Sequence, residues 1–234
     1  MKNKFISLFV TIIYFLLPLF AHCQKVESRN NVQIYWLTDT TSKISLFRIA
    51  SGYSPPKMKF INSVLEQYQR EVLEQYYSCV TNDGGECNHV VSIELINDEI
   101  ISFSQSTTWF CQGMMHYVSS SKGVIIDINN EKELSLNDIL FFNDATSEYT
   151  YREKLITVLT EMYPERWKVE DECHKNWLWD NPITYFTEEG LYVGISIFSG
   201  SIICDEGYII PYYVLKKHMH QACNLNFVIF SDDK

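Results

Sequence analysis

Residues 89–97, His-Val-Val-Ser-Ile-Glu-Leu-Ile-Asn, and residues 100–108, Ile-Ile-Ser-Phe-Ser-Gln-Ser-Thr-Thr, are two β-branched runs that meet at Asn97-Asp98. Val91, Ile93 and Leu95 fall on one face of the first, and Ile101 and Phe103 on one face of the second. That period of two, broken by residues that favour turns, predicts an antiparallel hairpin. Upstream, Ile61, Val64, Leu65, Tyr68, Val72 and Tyr76 recur at helical spacing, which predicts a long amphipathic helix from Pro56 to Ser78. Before it, 32–38 and 44–49 are short strand-like runs.

Downstream, 114–119 and 123–128 read as a strand pair around Ser119-Ser120-Ser121, with a turn at Asn129-Asn130. Ser135 with Asp138 three residues on is a capping-box pattern that opens a short helix to Leu140. A helix over 146–163 ends at Pro164, and a Trp-rich loop fills 164–181. Strands follow at 183–187, 191–198 and 207–210, then a helix over 211–220. Hairpins dominate, so the predicted class is α+β: an antiparallel sheet of hairpins with one long helix and two or three shorter ones on one face. The expected layout is 1–23 signal peptide, 24–55 N-terminal strand segment, 56–223 single α+β module and 224–234 tail.

The leader rests on Lys2 and Lys4, an apolar run from Phe5 to Phe20, and Ala21-His22-Cys23 before Gln24. A basic start, a short apolar run and small residues at the cut mark a secretory signal. Cleavage after Cys23 would leave a soluble secreted or periplasmic chain with no stable membrane span. An uncleaved anchor is disfavoured by Pro18 and the short run, and lipid attachment at Cys23 by the bulk of His22. The leader carries two lysines and no acid, so the mature chain has 17 basic and 29 acidic side chains, about −12. Such a charge repels nucleic acid and suits basic partners.

Six cysteines remain: Cys79, Cys87, Cys111, Cys173, Cys204 and Cys223. An even count in an exported chain points to disulfides, and the Asn82-Asp83-Gly84-Gly85 stretch suggests Cys79–Cys87 as one pair. Cys87 with His89, and His218 with His220 and Cys223, are mixed ligand types without a paired CxxC, so no metal or other cofactor is expected.

Several stretches in order resemble a bacterial extracytoplasmic module of unknown function, shared by lysozyme-sensing anti-sigma factors and the non-catalytic part of some peptidoglycan deacetylases. These are Phe60-Ile61-Asn62; Gly113-Met114-Met115-His116, then 123–128 and 134–140; and 183–193 with 207–212. The chain departs from the pattern at Met114, Met115, Glu131 and 199–204, and it has gained Cys111 and Cys204 in loops near the histidine. The recognition surface is therefore expected to be its own. With four residues before Phe5 and no length left for a catalytic domain, neither an anti-sigma nor a deacetylase role is expected.

Catalysis finds little support. His116 with Asp127 or Asp138 could form an acid–base pair, but a histidine in a strand-bounded loop is more often a structural hydrogen-bonder. Ser104 and Ser106 lack a nucleophile-elbow pattern. The aromatic loops are more telling, because exposed tryptophans anchor interfaces or stack on sugar rings. The expectation is a non-enzymatic protein-binding domain of the cell envelope with a basic, lysozyme-like partner, and the alternative is a glycan-binding or envelope-glycan-processing protein. The expected rim comprises Trp109, Gln112, His116 and Tyr117 from one loop, with Trp177, Trp179, Asp205 and Glu206 from two others.

Overall fold

Three strands open the structure: β1 (Gln24–Arg29), β2 (Val32–Thr38) and β3 (Ser45–Ser51). The long helix α1 (Pro55–Tyr76) follows and runs into a π-helical turn (Tyr77–Thr81). Then come β4 (Glu86–Ile96), β5 (Ile100–Phe110), β6 (Val118–Asp127), the two-residue β7 (Lys132–Glu133) and the short α2 (Leu136–Ile139). Helix α3 (Glu148–Met162), strands β8 (Ile183–Phe186), β9 (Gly190–Ser199) and β10 (Ile202–Pro211), and α4 (Tyr212–His218) complete it. The computed structural model describes residues 24–39, 41–81, 85–111, 113–140, 148–165, 182–199, 202–219 and 225.

Local chemistry explains several boundaries. Asn97 builds the β4–β5 turn by accepting hydrogen bonds from the N–H groups of Glu99 and Ile100 at 2.9 and 2.8 Å. Two prolines start α1, where their missing donors and preset φ cost nothing. The capping box forms as expected, with Asp138 accepting from the N–H and hydroxyl of Ser135. Burial pushes the Asp138 carboxyl upward, but hydrogen bonds from Lys132 and Ser135 hold it down at about 2.

Every strand pair among the described residues is antiparallel. β1-β2-β3 form one sheet; the other follows the path β10-β9-β6-β5-β4, with β7 on β6 and β8 on β9. Side chains alternate across β5 and β6, and both faces are buried. On one face Ile101, Phe103 and Ile126 meet Ile61, Leu65 and Tyr68 of α1 and Val32, Ile34 and Phe47 of the small sheet. On the other, Ile100 and Ile125 join Leu155 and Leu159 of α3, Leu191 and Val193 of β9, and Leu215 of α4. Truncating a fully buried Phe103 to alanine would cost roughly 3–5 kcal/mol. The β1–β2 turn also closes the open edge of β4: Arg29 and Asn30 donate to the carbonyls of Ile93 and Ile96 at 2.8 and 2.7 Å.

Strand β8 does not lie beside β6 but passes over it. A Cβ at Gly123 on β6 would meet the carbonyl oxygen of Thr184 at 2.0 Å, so only glycine admits β8 there. The N–H of Phe186 donates to the Ser102 hydroxyl on β5 at 2.7 Å. Thr184 therefore meets β6 while Phe186 meets β5. Alternation sends Phe186 into the core and Tyr185 to the opposite side, where its ring stacks on Tyr192 at 4.4 Å and 11°.

Three expectations change. Residues 119–121 are not a turn: they sit inside β6, paired one for one with 106–108 of β5, and the Thr108 and Ser119 hydroxyls bond at 2.7 Å. Asp205 and Glu206 are not loop residues: β10 starts at Ile202 and pairs them with Ser196 and Ile195. An additional strand, β1, precedes the two expected at the N-terminus. The proposed leader 1–23 lies outside the described residues, and among those described no helix is long and apolar enough to cross a membrane.

Candidate functional site

The end of the sheet where β5 turns into β6 carries the candidate site. Trp109 sits near the end of β5, opposite Cys87 of β4 and Val118 of β6. Phe110 and Tyr117 bracket the connecting loop and bring their rings to 5.1 Å. The Tyr117 hydroxyl donates to Glu86 on β4 at 2.6 Å, and this hydrogen bond raises the phenol above its usual pKa. Gly113, at φ +89°, supplies the left-handed turn between them.

The loop displays apolar side chains to solvent. Met115 is 85% exposed, Tyr117 52% and Met114 37%. Tyr77, on the π-helical turn, is also exposed. A disulfide between Cys79 and Cys111 ties that turn to the loop. Flexible thioethers beside an aromatic ring, on a tethered loop, form an adaptable contact surface.

The cysteine pairing corrects the expectation from sequence. Cys79 bonds to Cys111, not to Cys87, and Cys87 is a free thiol. The cause is hairpin register together with packing. Cys87 turns into a small core with Ile44, Val72 and Tyr76, whereas the π-helical turn carries Cys79 across to the strand end beyond Trp109. Burial raises the Cys87 thiol above its usual pKa, which makes it a poor nucleophile at neutral pH.

The acid–base pairs considered for His116 do not form. His116 is exposed in the loop before β6, whereas Asp127 ends that strand, roughly 30 Å along its length. There Asp127 accepts from the N–H groups of Asn129 and Asn130, and Asp138 is taken up by its capping box. Ser104 donates to Glu94 at 2.7 Å.

Of the expected rim, Trp109, His116 and Tyr117 stand together at this end. The β10 backbone comes near: Cys204 pairs with Ile197, which pairs with Ser120 of β6, so Asp205 lies about 10 Å to the side of β6. The side chains of Cys204, Asp205 and Glu206, and residues Gln112, Cys173, Trp177, Trp179 and Cys223, fall outside what is described. Sequence reasoning missed Met115, Tyr77 and Glu86 as members. The adjacent methionines in a short loop were the available signal.

No protein-family profile matches the chain, and no curated protein resembles it in sequence. Solved structures do share its fold. A member of the DUF3298 family from Bacteroides fragilis superposes with a TM-score of 0.53 at 13% identity, over 85% of this chain and 94% of that one. A DUF3298 family protein from Pseudomonas aeruginosa PAO1 gives 0.52 at 12% identity, over 86% and 95%. At such identities the likeness is one of fold alone.

Proposed function

We propose that this chain is a non-catalytic, exported protein-binding domain of the cell envelope, docking a basic, lysozyme-like protein at the β5–β6 end of its sheet. The observation that carries this is the pair Met115 and Tyr117, well exposed on a loop held by Cys79–Cys111. A surface that presents apolar side chains from a tethered loop loses little entropy on binding. The acidic balance supports a basic partner by steering its approach. Trp109, Gln112, His116, Trp177, Trp179, Asp205 and Glu206 would extend this rim. The disulfide fits an oxidising compartment, as an exported chain requires.

Biolayer interferometry against a lysozyme and the same lysozyme with succinylated lysines tests the reading. Native lysozyme should bind, and the charge-reversed form should bind at least about tenfold more weakly. The double variant Met115→Ala, Tyr117→Ala should lose about tenfold or more in affinity at an unchanged melting temperature. Failure of native lysozyme to bind would overturn the partner assignment. Binding that is indifferent to the double variant would overturn the surface.

A further inference from the structure

A second, chemically different site lies beside β8, away from the docking end. Arg29, Asn30, Glu94 and Glu188 line a cavity of about 340 Å³ where the β1–β2 turn, β4 and the β8–β9 turn converge. Polar side chains dominate it, and both charge signs are present. Arg29 is already engaged by Glu27 and by the Ile93 carbonyl, so it does not offer an unspent cation to an anionic ligand. Glu94 accepts from Ser104 with one oxygen, and its second has no partner among the described residues.

Glu94 also joins the cavity to an aromatic platform. Tyr185 stacks on Tyr192 and is near enough to Glu94 for that carboxylate's charge to act on its phenol. Burial, then Tyr192 and Glu94, push the Tyr185 phenol up, so it stays a hydrogen-bond donor at any physiological pH. The pair is half-buried and packs outside the core that takes Phe186 and Val193. Gly207 makes room for it: a Cβ there would strike the Tyr192 ring at 2.2 Å and its hydroxyl at 2.0 Å. The β5 and β6 strands beyond β8 carry Ser104, Ser106 and Ser121 on the face that β8 crosses.

A stacked tyrosine pair next to a cavity of carboxylate, amide and hydroxyl groups suits a ligand with apolar ring faces and dense hydroxyls. A lipid would leave the polar lining unpaired, and an anionic polymer would meet two carboxylates and an occupied arginine. We infer that this corner is a binding site for a neutral oligosaccharide, whose ring packs on Tyr185–Tyr192 while Glu94 and Asn30 bond its hydroxyls. This goes beyond the protein-docking reading and uses none of its residues.

Isothermal titration of the full mature chain with chitotetraose and with cellotetraose tests it. At least one should bind, and a preference between them would show whether acetamido groups contribute. Glu94→Gln and Tyr185→Ala should each weaken binding about tenfold. Tyr185→Phe should retain most of it, because the ring face remains. In case Tyr185→Ala unfolds, amide chemical shifts of the unaltered protein should move at 94 and 185–192 on adding the sugar. Lack of binding by either tetramer at millimolar concentration would overturn the inference. So would shifts confined to other regions, or affinity unchanged in folded Glu94→Gln.

Discussion

Single partly buried residues make the stability of the fold depend on pH. His89, on β4, packs against Gln105 of β5, and neither ring nitrogen finds a full hydrogen-bond partner among the described residues. Burial lowers its pKa, with Gln105 acting weakly in the other direction. A folded-state pKa below the unfolded value means that protons bind the unfolded chain more readily. Stability is then complete above the unfolded value of about 6.5 and declines as pH falls through it towards the lower folded value. His89→Leu should flatten that part of the profile and match or exceed the parent's stability at pH of about 5. Urea midpoints at several pH values would check this, and an unchanged slope would mean that His89 is solvated enough to titrate normally. Asp138 has the same sign of linkage in a lower window: despite burial, hydrogen bonds from Lys132 and Ser135 hold its folded pKa at about 2, so the contribution of the capping box declines as pH falls from about 4 towards that value.

Elements were legible where one rule dominated. Helix α1 buries Ile61, Leu65, Tyr68, Val72 and Tyr76, a stripe at spacings of four and three that only a helix produces. β4 and β5 were equally plain, since Asn97 makes its own turn. The sequence predicts strand β10 only over 207–210, because Ile202-Ile203-Cys204-Asp205-Glu206 does not alternate; pairing with β9 extends it. Serines at 119–121 suggest a turn, yet all three pair with β5, and the Ser119 hydroxyl bonds that of Thr108. The candidate site was half legible: aromatic residues marked the loop, but closeness in sequence gave the wrong disulfide. Register explains why, since Glu86 pairs with Phe110 and places the return of β4 beside Cys111. Peptide mapping under non-reducing conditions should recover a Cys79–Cys111 linked pair, with Cys87 alkylated after denaturation. A Cys79–Cys87 peptide would refute the register. Removing the bond should cost about 3.7 kcal/mol for a separation of 32, whereas Cys87→Ser should cost far less.

At the scale of the whole molecule, the two sheets of the described residues leave one end of β4–β5–β6 to carry a tethered apolar loop, while β8 crossing their face creates a polar corner elsewhere. The chain's balance of 29 acids against 19 bases adds a long-range attraction for basic proteins that salt should screen. The two acids considered for His116 are engaged elsewhere, Asp127 in the turn after β6 and Asp138 in its capping box. Its central claim is that the β5–β6 end is the docking surface, and hydrogen–deuterium exchange with and without lysozyme tests that most directly. The account predicts slowed exchange across residues 110–118 and the π-helical turn at 77–81, with 94 and 183–192 unchanged. Protection elsewhere, with 110–118 unaffected, would contradict it.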